Sequence, residues 1–171
     1  MRRILLSIAC VALLAVPAAA GARGHAAVPG FLVVRDAATD GGVTGSPVVT
    51  VVVDGFVLGS VSQEGRVEIY HLSAAHGTGQ ATGVDVSRAG VTWHGVPGTA
   101  YSGSAFRFRA VGGVWRVVIR GSGISVYAGG HGRVTLHGSV AYPNGDGRYS
   151  LDGRGFASLP SGELTRSIGR G

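Results

Sequence analysis

The run Phe106-Arg107-Phe108-Arg109-Ala110-Val111-Gly112-Gly113-Val114-Trp115-Arg116-Val117-Val118-Ile119-Arg120 is the segment whose residue types and spacing most suggest binding chemistry. Side chains alternate between the two faces of an extended chain. Arg107 and Arg109 therefore share a face, and so do Arg116 and Arg120. A turn at Gly112-Gly113 would place all four on one side of a hairpin, with Arg109 opposite Arg116. Like charges directly opposite each other are destabilising. A counter-anion relieves them, whether a carboxylate from a neighbouring strand or a ligand phosphate or carboxylate gripped by the guanidinium fork. A solvated outer face, with Arg stems over Val114 and Val118, accounts for the same pattern. Phe106, Phe108 and Trp115 fall on the opposite face. No aromatic interleaves with these arginines, so stacking of single-stranded nucleic acid is not expected.

Other candidates are weaker. His71 and His76 are five apart, and His131 and His137 are six apart; His94 stands alone. There is no H-E-x-x-H or H-x-H spacing, and a metal site needs three or four converging ligands. No metal site and no cofactor is expected. No Gly-x-Ser-x-Gly nucleophile motif occurs, and Gly121-Ser122-Gly123 reads as turn material. Glu64 and Glu68, four apart, share one side of a strand and read as a solvated edge rather than a glycosidase pair. Asp36-Ala37-Ala38-Thr39-Asp40-Gly41-Gly42 has oxygen ligands and glycines. It lacks the alternating acids and distal Glu of a calcium loop. No helix follows any glycine cluster, so a phosphate cradle is not expected.

The composition narrows what can position these groups. The 171 residues give room for one domain. The 15 basic residues are all Arg and face 9 acids, for a net charge of +6. The excess suits weak attraction to anionic polymers and falls short of a dedicated nucleic-acid binder. The 31 glycines follow no three-residue period, and one Cys rules out a disulfide framework. Met1-Arg2-Arg3, the apolar run Ile4–Val16, Pro17 and Ala18-Ala19-Ala20 read as a signal peptide over 1–20, cut after Ala20. The apolar run is too short to span a bilayer. No transmembrane span is expected after cleavage. Residues 21–30 read as a loose leader, 31–160 as a single β domain and 161–171 as a flexible tail.

No stretch sustains a helical period. Short Val-rich runs punctuated by glycine predict strands at 31–35, 48–53, 56–61, 66–72, 83–87, 91–94, 104–111, 114–120, 124–128, 133–137, 148–151 and 156–159. Asp54-Gly55 predicts a two-residue hairpin turn that pairs Val53 with Phe56 and Val51 with Leu58. Both faces of that hairpin are apolar, so it is expected to be covered on both sides. The Gly112-Gly113 hairpin pairs Phe106 with Ile119, Phe108 with Val117 and Ala110 with Trp115. The fold class is all-β, an antiparallel hairpin-rich sandwich or barrel. The roughly ten-residue spacing of runs around ISVYAGGHGRVTLHGSV admits a short β-solenoid as the alternative.

The segment FRFRAVGGVWRVVIRGSGISVYAGGHGRVTLHGSV, followed by GRYSLDG, resembles small exported Gly/Val-rich β-proteins of high-GC Gram-positive bacteria. The likeness covers about residues 104–153 and rests on glycine placement and alternation. It implies export and a β fold, but no activity and no catalytic residue. The glycine-spaced runs also resemble, more faintly, adhesin-like β-solenoid repeats. The sequence thus points to an exported, non-catalytic module, secreted or held in the cell envelope, with anionic cell-wall polymer as the partner of Arg107, Arg109, Arg116 and Arg120. The alternatives are a small secreted hydrolase and a self-associating structural protein.

Overall fold

A computed structural model of the chain describes residues 28–37, 46–72, 83–95, 98–138 and 147–169. Among the described residues nine strands are formed: β1 (Gly30–Ala37), β2 (Val48–His71), β3 (Val84–Ser87), β4 (Gly90–Gly95), β5 (Gly98–Gly121), β6 (Ile124–His137), β7 (Arg148–Leu151), β8 (Ala157–Ser158) and β9 (Leu164–Ile168). They make one antiparallel sheet in the order β3-β5-β2-β6-β1-β7-β8, with β4 on β5 and β9 on β6, and it does not close into a barrel. The pairing is antiparallel throughout, so the solenoid alternative falls away.

Neither expected hairpin forms. Asp54-Gly55 and Gly112-Gly113 both lie inside continuous 24-residue strands, and these two sites pair with each other. Val53 faces Trp115 and Gly55 faces Gly113, and after them Phe56 faces Val111. Gly112, at φ 74°, is thus left over as a β-bulge. A bulge adds one unpaired residue and inverts the alternation beyond it, as a two-residue turn also does. The face assignment made for a hairpin therefore survives: Phe106, Phe108, Ala110, Trp115, Val117 and Ile119 are all buried, while Arg107, Arg109, Arg116 and Arg120 are exposed.

What the sheet needs at these positions is a crease. Gly113, Gly55, Gly130 and Gly30 stand side by side on β5, β2, β6 and β1. Gly55 has φ 152°, and a Cβ there would strike the Gly129 carbonyl. Gly103, Gly65 and Gly121 form a second such line. Folded at both lines, β2 winds round until residues 115–121 of β5 are hydrogen-bonded to its first part on one edge and to its last part on the other. One side of the sheet thereby packs against itself. Val49, Val51, Val53, Val57, Val61, Val67 and Ile69, all odd-numbered on β2, line that interior with the buried side chains of β1, β5 and β6. Each buried side chain of this size contributes roughly 1.5–3 kcal/mol. The even-numbered valines Val48 and Val52 are only half-buried, so β2 is covered on one side and not on both.

Two further differences concern the ends. Leu164–Ile168, expected to be a tail, pairs with Leu136–Gly132 as β9 and buries Ile168. Gly30, assigned to the leader, opens β1 and is buried. The segment read as a signal peptide, residues 38–45 and His76 lie outside the described residues.

Candidate functional site

The outward side of the folded sheet presents two faces, one on each side of the glycine crease. The first is built on β5 after its bulge, flanked by the two ends of β2. Alternation turns Arg116, Val118 and Arg120 outward. Register sets them beside Tyr70, Glu68 and Arg66 on one edge, and beside Val52, Thr50 and Val48 on the other. The next strand, β6, adds Arg133 beside Val52, Thr135 beside Thr50 and His137 beside Val48. Thr135 Oγ1 lies 3.0 Å from Thr165 Oγ1 of β9. Arg66, Arg116, Arg120 and Arg133 are all exposed. Strand geometry puts Arg116 and Arg133 about 10 Å apart across two strand spacings, and Arg116 and Arg120 about 13 Å apart along β5.

One carboxylate sits in the middle. Glu68 accepts from Arg66 Nε at 3.0 Å and from the Tyr70 hydroxyl at 2.9 Å. The Tyr70 ring lies across Gly98, and the Arg116 guanidinium stands 5.2 Å from the ring centroid on cation–π terms. Partial burial alone would raise the Glu68 pKa. The Tyr70 and Arg66 hydrogen bonds, with the charges of Arg66 and Arg120, outweigh it and hold the carboxyl below the usual range. The same bond to Glu68, then partial burial and the Glu68 charge, raise the Tyr70 phenol above its ordinary value. Glu68 is therefore a clamped anion within the face, not the solvated edge expected from its spacing to Glu64.

The second outward face carries Arg107 and Arg109. Arg109 lies between Leu58 of β2 and Asp85 of β3; Arg107 lies between Ser60 and Ser87. Arg109 is thus not opposite Arg116, and the expected like-charge pair does not exist. The structure splits the four candidate arginines two and two. Aromatic side chains join Arg107 and Arg109 after all, supplied by other strands: Phe56 of β2, Tyr127 of β6 and Phe31 of β1. Sequence reasoning missed these, together with Arg66, Tyr70 and Arg133, and did not foresee the partners of Glu68. Their alternation within each strand was visible, but which strands adjoin was not.

The described histidines do not converge. His71 packs its ring 4.4 Å from that of Trp115, and His94 Nδ1 lies 2.7 Å from Thr99 Oγ1. His131 and His137 share the outward side of β6, opposite Asp54 and Val48. Among the described residues no three His, Cys, Asp or Glu gather as metal ligands. No described helix is long and apolar enough to cross a membrane. No protein family, no curated protein and no solved structure matches this chain.

Proposed function

We propose that the protein is an exported, non-catalytic β module of the cell envelope or extracellular space that holds anionic polymer on its arginine face. The observation that carries this reading is the gathering of Arg66, Arg116, Arg120 and Arg133 on adjacent strands around one carboxylate that is already neutralised. Among the described residues Arg116, Arg120 and Arg133 form no ion pair of their own, although Arg116 stands against the Tyr70 ring and the Arg120 charge also acts on Glu68, and each guanidinium fork can grip a phosphate or carboxylate bidentately. Their supporting strands are central and rigid, so little ordering entropy opposes the contact. The signal-like residues 1–20 and the resemblance over residues 104–153 favour export.

Binding of this kind is electrostatic and falls steeply with salt. Retention on immobilised polyphosphate is expected to weaken about tenfold or more between roughly 0.05 and 0.2 M NaCl. The variant Arg116→Ala/Arg120→Ala/Arg133→Ala should weaken it to a similar extent at low salt, with an unchanged melting temperature. Retention that ignores both salt and the triple variant would reject the proposal.

A further inference from the structure

The second outward face differs from the first in its centre, and its occupant is not defined by charge alone. Phe31 and Tyr127 are 44% and 40% exposed, and their rings lie nearly parallel, 13° apart with centroids separated by 6.2 Å. The Phe56 ring adjoins Tyr127 at 5.4 Å. Gly129 lies between Phe31 and Phe56 in the sheet. A Cβ at that glycine would stand 2.7 Å from the Phe56 ring and 3.6 Å from that of Phe31. The missing side chain leaves room for the Phe56 ring over the backbone, so the near-parallel Phe31 and Tyr127 rings form a tray with Phe56 tilted 49° at its edge. The Phe31 backbone is fixed from the neighbouring strand, since Asp152 Oδ1 accepts from its N–H at 3.1 Å and the Asp152 N–H donates to its carbonyl at 3.0 Å. Exposed Leu58 extends the tray to Arg109. The adjoining row carries Arg107, Ser60 and Ser125, and Arg35 and Arg148 stand beyond them.

We infer that this tray is a stacking site for a carbohydrate chain that bears carboxylates, such as a polyuronate, and that it is separate from the arginine face. A pyranose ring offers an apolar C–H face with polar groups around its rim. Laid on the tray, it removes apolar surface of both partners from water. The ring carboxylate meets Arg107 or Arg109, and the hydroxyls meet Ser60 and Ser125. A second copy of the chain is a poorer occupant. Four arginines against Asp85 and Asp152 make the rim cationic, and two such rims repel. A phosphodiester chain could stack its bases on the same rings, and poly-dT therefore stands as the competing outcome in the test.

The test compares four probes on the full chain: polygalacturonate, polyphosphate, a neutral glucan and poly-dT. Polyphosphate binding should vanish near 0.5 M NaCl, whereas polygalacturonate should keep its affinity within about fivefold, because stacking is not screened. Phe31→Ala/Tyr127→Ala should remove this salt-resistant binding by about tenfold or more while leaving low-salt polyphosphate binding within about twofold; Tyr127→Phe should retain it. Arg107→Gln/Arg109→Gln leaves the packing intact, so it keeps the test valid if the aromatic variant unfolds. It should cost polygalacturonate about fivefold and abolish its preference over the neutral glucan. Three results would each overturn the inference: unchanged salt-resistant binding in both double variants, equal salt-resistant binding of poly-dT lost in the same variants, or no salt-resistant binding at all. Failure of the arginine face would show separately, in the polyphosphate arm at low salt.

Discussion

The two outward faces carry the same number of charges and differ in what those charges surround. Arg66, Arg116, Arg120 and Arg133 enclose Glu68 and Tyr70, with Asp54 at one end. Arg35, Arg107, Arg109 and Arg148 border Phe31, Phe56 and Tyr127, with Asp85 and Asp152 at the ends. A polar centre leaves a field that answers only to ligand charge. An aromatic centre adds a demand on ligand shape. Counting arginines along the chain would rank the faces as equal.

The comparison breaks most completely at the crease both faces share. Gly55→Val puts a β-branched residue at a backbone angle it cannot hold and drives its Cβ into the Gly129 carbonyl. A loss of about 3 kcal/mol or more is expected, seen as a much lower urea midpoint and the disappearance of both binding modes. Trp115→Ala, in the interior beneath the arginine face, should cost about 3–5 kcal/mol through the cavity it leaves. Ligand selectivity should persist in whatever fraction remains folded, and an altered selectivity would mean that the faces are not independent.

Charge inside one face alone sharpens the contrast. Glu68→Gln removes the clamped anion and should tighten polyphosphate several-fold, about 1 kcal/mol, while leaving the salt-resistant polygalacturonate arm unchanged. Acid should mimic it. Glu68 has a folded-state pKa below its unfolded value. Its contribution to stability is therefore present above the ordinary carboxylate range and is lost as pH falls through the depressed value. Polyphosphate binding should strengthen over that same fall. Tyr70 has the opposite sign: its raised phenol contributes fully below the ordinary tyrosine value, and the contribution is lost as pH rises through the raised one. Tyr70→Phe should be the mildest change, about 0.5–1 kcal/mol, and should flatten the alkaline limb of a stability–pH curve.

What could be read from the sequence was whatever a single strand decides for itself. Phe106 through Ile119 declared their inward side by alternation, and the structure buries them on that side. Gly112-Gly113 could not be told from a hairpin, because a turn and a bulge impose the same inversion of faces. Asp54-Gly55 has turn chemistry, yet its glycine serves a bend within a strand. The tail strand β9 went unseen because Leu164 and Ile168 alone mark its buried side. Arg133 and Tyr70 join Arg116 only through pairings made 17 and 46 residues away, and Phe31, Phe56 and Tyr127 meet from three strands. Register between distant segments, not propensity within them, was the missing information.

The line Gly113–Gly55–Gly130–Gly30 has an outcome for any ligand long enough to cross it. Phe56 and Val52 flank the bend on β2, about 13 Å apart, with Gly55 and the short Asp54 side chain between them. No large side chain from Gly55 or Asp54 stands between the two faces on β2, so a polymer held on the tray and on the guanidinium field at once would cross at this line. Two such footholds, if both are occupied by one molecule, would make overall avidity grow with the ligand's length even where neither is strong.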